Sequence, residues 1–89
     1  MDIGKARMEI ADHYSKLEEL QKLLEEIEEL KTEVLVSINT VPTKPTDNLW
    51  SEMADVINCI LHVGLQWGEL NRIEREAERK VERQIGRIK

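Results

Sequence analysis

Phenylalanine is absent from the 89 residues, and two Trp and one Tyr bring the aromatic share to only 3%. Four Gly and two Pro are equally few. A many-stranded sandwich or barrel consumes more of both in its turns, so an all-β fold is excluded. The single cysteine, Cys59, makes no bridge within the chain, and no Cys/His grouping has the spacing of a structural zinc site. Long hydrophobic runs are missing: the most apolar stretch, Met53 to Trp67, is interrupted by Asp55, Asn58, His62 and Gln66 and falls short of a membrane span. The opening MDIGKARMEIADHY lacks the continuous apolar segment of a signal peptide. Together these absences predict a soluble, cytoplasmic chain without membrane contact. Positive charge is also in deficit, 13 Lys and Arg against 18 Asp and Glu for a net −5, which argues against a nucleic-acid polymer as partner. Neither a G-x-x-x-x-G-K-[ST] phosphate loop nor a G-x-S-x-G elbow occurs.

What is present is helical periodicity in one small all-α domain, 1–89. From Leu17 the apolar residues recur at Leu20, Leu23, Leu24, Ile27, Leu30, Val34, Leu35 and Ile38, a single stripe. Ser15 and Glu18 have the spacing of a capping box, so the N-terminal half either breaks near His13 to Ser15 into helices of about 3–12 and 16–38 or continues as one long helix. NTVPTKPTD holds both prolines and predicts a loop over 39–46. Asp47 or Asn48 can cap the next helix, about 47–66, whose stripe is Trp50, Met53, Ala54, Ile57, Ile60, Leu61, Gly64 and Leu65. Gly64 suggests a close helix contact, and Trp67–Gly68 a break before a last helix over 69–88. Charge divides at the same place. Residues 1–70 hold six basic and fourteen acidic side chains, a balance of −8, whereas residues 71–89 hold seven and four, a balance of +3.

A proline loop makes the two central helices antiparallel neighbours. Folding back sets the turn of Glu25, Glu26 and Glu29 opposite the turn of Glu52 and Asp55. On a helical wheel centred on Ile27 the three glutamates fall away from the leucine stripe and outside the core. Two readings stand: a solvated glutamate-rich face, or carboxylates gathered round a hard cation. An all-oxygen shell suits Mg²⁺ or Mn²⁺ rather than zinc, and such a site supports attack of activated water on phosphorus.

KLLEEIEEL at 22–30, the proline loop, NLWSEMADVINCIL at 48–61 and ERKVERQIGRI at 78–88 together resemble the MazG-like all-α nucleoside triphosphate pyrophosphohydrolases, especially the short phage-type members. The resemblance implies a four-helix MazG-like domain, or a helical hairpin, assembling into a homodimeric or homotetrameric bundle. It implies an EExxE motif at Glu25, Glu26 and Glu29 and an ExxD motif at Glu52 and Asp55, the five serving as catalytic residues and as ligands of Mg²⁺, with Mn²⁺ as a substitute. It also implies phosphate binding by Lys80 and Arg83 of KVER, although Glu78 stands where the family often has asparagine. The implied reaction converts a nucleoside triphosphate, including deoxynucleotides, and water to the monophosphate and pyrophosphate. The alternative is a non-enzymatic oligomeric helical adaptor whose acidic runs only solubilise the bundle.

The remaining chemistry-bearing residues have ordinary roles. Cys59 and His62 continue the flank of Glu52 and Asp55, where packing at a subunit interface is expected before a transition-metal site. Trp50, Trp67 and Tyr14 are expected in core or interface packing before base stacking.

Overall fold

Ser15 decides where the first helix ends. Its hydroxyl accepts from the Glu18 amide (3.0 Å) while the Glu18 carboxylate accepts from the Ser15 amide (3.1 Å), a reciprocal capping box. These hydrogen bonds hold the Glu18 carboxyl below the ordinary carboxylate range. The computed structural model describes residues 1–89 and contains four α-helices and no strand. They are α1 (Ile3–His13), α2 (Lys16–Asn39), α3 (Leu49–Trp67) and α4 (Leu70–Ile88). Of the two alternatives for the N-terminal half, the chain therefore takes the broken one. No helix is long and apolar enough to cross a membrane.

The loop between α2 and α3 is pinned from both sides. Thr46 donates its amide to the Ser37 hydroxyl (3.1 Å) and its own hydroxyl to Glu33 Oε2 (2.7 Å). Asn48 stands at the N-cap of α3 but makes no side-chain cap bond; its amide group instead reaches Glu33 and Glu52 (3.4 Å each). These contacts set the antiparallel register of α2 and α3, with Glu33 level with Asn48 and Glu19 level with His62.

The packed face of α2 differs from the expectation. Its covered or half-covered positions are Glu19, Leu23, Glu26, Leu30, Glu33 and Ser37, alternating steps of four and three, with Val34 half-covered beside them. On α3 the matching seam is Leu49, Glu52, Val56, Cys59, Val63 and Gln66. Most of the leucine stripe is left uncovered: Leu17, Leu20, Leu24, Ile27, Leu35 and Ile38 are exposed, as are Trp50, Met53 and Ile57 on α3. In antiparallel helices the positions just after the seam turn to the same side. Leu20, Leu24, Ile27 and Ile38 thus share one apolar face of the hairpin with Trp50, Met53 and Ile57. A wheel identifies which residues form an apolar stripe; it does not say whether the element covering them belongs to the same chain. Only eight of the 89 residues are buried, and three of these, Ala11, Leu49 and Cys59, are the apolar ones that a single chain encloses as core.

α1 lies across the other side of α3, joined by Arg7 Nη1 donating to Asn58 Oδ1 (2.7 Å) and by Gln66 Nε2 donating to the carbonyls of Ala11 (3.0 Å) and Tyr14 (2.9 Å). α3 ends in a Schellman arrangement: the Glu69 amide donates to the Gly64 carbonyl (2.9 Å), the Gly68 amide to that of Leu65 (3.3 Å), and Gly68 is left-handed at φ 66°. Gly64 lets α4 return closely, since a Cβ there would stand 3.1 Å from Ile73 Cδ1 and 3.3 Å from Leu70 Cδ1. Beyond Leu70, every residue of α4 is exposed. Gly68→Ala puts a side chain on a left-handed residue at a cost of about 1 kcal/mol. The expected result is a melting midpoint lower by roughly 4–8 °C, measured by circular dichroism; an unchanged midpoint would show that this turn is free to adopt another conformation.

Candidate metal centre

Glu26 belongs to the α2 seam, so its carboxylate enters the α2–α3 junction rather than solvent; the residue is 5% exposed. This corrects the wheel-based expectation that the glutamates all lie outside the core. Lys22, one turn earlier, pairs with Glu26 Oε1 at 3.0 Å, while Glu26 Oε2 is buried with no hydrogen-bond partner. Glu52 is arranged similarly from the opposite helix: Oε1 accepts from Asn48, and Oε2 is buried and unpartnered. Asp55 follows one turn along α3 on the exposed edge. One oxygen from each of Glu26, Glu52 and Asp55 can be chosen such that all three lie within 4.8 Å of one another.

Glu29 adjoins this group. The negative charge of Glu26 beside it raises its carboxyl pKa above the ordinary carboxylate value, helped by some loss of hydration, by the charge of Glu52 and by the hydrogen bonds its protonated form makes to both. Glu25 lines the neighbouring groove but is not among the three converging residues. Lys22 gains in the same field, its ammonium favoured by the pairing with Glu26. The structure thus brings Glu26, Glu52 and Asp55 together, places Glu29 against them and leaves Glu25 on the rim.

The raised Glu29 carboxyl has a consequence for stability. A carboxyl easier to protonate in the fold than in the unfolded chain contributes stability that is full below its unfolded pKa and is lost as pH rises through the folded value. The metal-free chain is therefore expected to melt at lower temperature as pH rises through that window, with a smaller fall in Glu29→Gln. Equal pH dependence of the two proteins would separate Glu29 from the cluster.

A groove of about 710 Å³ extends from Glu26 and Asp55 to Ile10 and Tyr14, on the side of the hairpin opposite the apolar face. Five carboxylates line it, Glu18, Glu19, Glu25, Glu26 and Asp55, and Lys22 is its only lysine or arginine. Cys59 and His62 form part of the wall and are buried within the chain, not left for a subunit interface. Burial, and then the charges of Glu26 and Glu19, push the Cys59 thiol up. Most of the charged donors lining the groove are carboxylate oxygens, which suit a hard divalent cation.

Lys80 and Arg83 lie on the exposed part of α4 and do not line the groove. Trp50, Trp67 and Tyr14 are likewise exposed and not in a core; Trp67 carries the Lys16 ammonium 4.3 Å above its ring. Sequence reasoning missed Glu19 and Lys22. The available signal was the sevenfold spacing of Glu19, Glu26 and Glu33, matched on α3 by Glu52, Cys59 and Gln66, which marks a polar seam between two helices. Comparison of the chain with protein families, curated proteins and solved structures finds no match.

Proposed function

We propose that the chain is a Mg²⁺-dependent nucleoside triphosphate pyrophosphohydrolase of the short, phage-type MazG-like kind, cytoplasmic, converting a (deoxy)nucleoside triphosphate and water to the monophosphate and pyrophosphate. The observation that carries the reading is the convergence of Glu26, Glu52 and Asp55, two of them with a buried oxygen whose neighbour is a further carboxyl, that of Glu29, rather than a cationic donor. Unpaired buried carboxylate oxygens are costly, and a hard cation is the partner that suits three of them at once. Glu26, Glu52 and Asp55 would hold it, with Glu25 and Glu29 at the margin. Mg²⁺ bound there, or Mn²⁺ in its place, lowers the pKa of water and offsets charge on the phosphates. One of these carboxylates would orient the attacking water.

Lys80 and Arg83 enter this reading through assembly. Exposed on α4 and away from their own groove, they would donate to phosphate oxygens of a substrate held by a second copy in a homodimer or homotetramer. The test is incubation of the purified chain with nucleoside triphosphates and Mg²⁺. Stoichiometric monophosphate and pyrophosphate are expected; orthophosphate as the product, or no turnover, would overturn the proposal. The exposed apolar residues favour a second reading, an oligomeric adaptor without catalysis. Melting with and without Mg²⁺ separates the two, because a crowded carboxylate site is stabilised by its ligand and a solvated acidic face is not.

A further inference from the structure

Glu19 is the second buried carboxylate of the groove and has no role in the metal centre. It is 4% exposed, and its Oε2 is out of contact with solvent and accepts no hydrogen bond. Oε2 faces His62 Nδ1 at 3.9 Å, an ion-pair distance for a protonated imidazole and too long for a hydrogen bond. With Oε2 closed off against His62, Oε1 is the oxygen of Glu19 left for a donor on a ligand in the groove whose wall the residue forms. Glu19 precedes Glu26 by two helical turns, which sets it about 10 Å away along α2. That is the reach of a sugar and base extending from phosphates held at Glu26, Glu52 and Asp55. At the same end of the groove Tyr14 and Ile10 offer an aromatic and an aliphatic surface against which a base can lie.

Resting on the pyrophosphohydrolase reading, we infer that Glu19 reads the nucleobase, accepting a hydrogen bond from an exocyclic amino group and so favouring cytosine, adenine and guanine over uracil and thymine. A carboxylate is an acceptor only, and carboxylates pair with amino groups such as that of cytosine. Uracil and thymine carry carbonyl oxygens on either side of their one ring N–H, and these lone pairs would face the charge of Glu19. Lys22 does not offset it, being engaged by Glu26.

The experiment compares kcat/KM for dCTP, dATP, dGTP, dUTP and dTTP in the parent chain and in Glu19→Gln, with saturating Mg²⁺. One charge-assisted hydrogen bond gives an expected preference of roughly tenfold to a hundredfold for the three amino-bearing bases. Glutamine has the same shape but both donates and accepts, so the variant is expected to bring the five substrates within about threefold of one another. Circular dichroism and Mg²⁺-dependent melting, unchanged in the variant, check that the fold and the metal centre persist. Turnover of all five substrates without a preference in the parent would overturn the inference and leave the proposed function standing. So would a variant that retains the preference or slows all five equally, the mark of a structural role. Absence of turnover on every nucleotide would overturn the proposed function and, with it, this inference.

Discussion

Glu52→Gln and Asp55→Asn are each expected to reduce turnover by about a thousandfold, since a lost metal ligand removes several kcal/mol of charge stabilisation in the transition state. Stability is expected to move the other way. Glu52 lies half-buried against Glu29 and shares the cluster with Glu26 and Asp55. Removing its charge relieves repulsion worth about 1 kcal/mol at these separations. The isosteric amide retains the oxygen that accepts from Asn48. Without metal, Glu52→Gln should therefore melt above the parent, and with saturating Mg²⁺ the order should reverse, because only the parent gains fully from ligand linkage. Calorimetry with and without Mg²⁺, alongside pyrophosphate release, reads both effects. Parental turnover in these variants would remove the two residues from the chemistry.

The second large effect concerns the apolar face. Leu24 and Trp50 are each 61% exposed and Ile57 55% exposed, on the same side of the α2–α3 hairpin. An exposed apolar patch of this kind is what a two-fold dimer covers. Burying one such side chain stabilises by about 1.5–3 kcal/mol, and two-fold symmetry counts each contact twice. Leu24→Lys is therefore expected to weaken association by at least a hundredfold and to lower the melting midpoint at any fixed concentration. Light scattering at micromolar concentration should give a multiple of 10.4 kDa for the parent. A stable 10.4 kDa particle would refute the assembly.

Much of the local structure is legible in the residues themselves. The prolines mark the connection to α3, Gly64 and Gly68 mark the close return of α4, and the Ser15–Glu18 spacing offers a break before α2 as one of two alternatives. Each is a short-range device whose geometry depends on a few neighbouring atoms. The juxtaposition of the Glu26 and Glu52 turns is legible as well, because a hairpin with a central loop fixes which heights meet. The face on which α2 and α3 meet is not. Hydrophobic periodicity points to Leu20, Leu24 and Ile27, yet the chain pairs through Glu19, Glu26 and Glu33. Two competing stripes lie one residue apart, about 100° around the helix. The periodicity of one helix does not choose between them. Glu19 escaped notice for the same reason, since a glutamate one position from a leucine stripe looks like its solvated border.

The charge lining the groove governs how quickly an anion arrives there. Five carboxylates against one ammonium repel an approaching polyphosphate over the Debye length, about 10 Å at 0.1 M ionic strength. Added inert electrolyte therefore speeds the encounter with an uncomplexed nucleotide, the reverse of its effect on proteins that draw anions in with basic surfaces. A nucleotide that travels with its divalent counterion carries less charge and meets a lower barrier. Rapid-mixing measurements across a salt series would register this as an association rate that climbs with ionic strength for the free anion and stays nearly level for its magnesium salt.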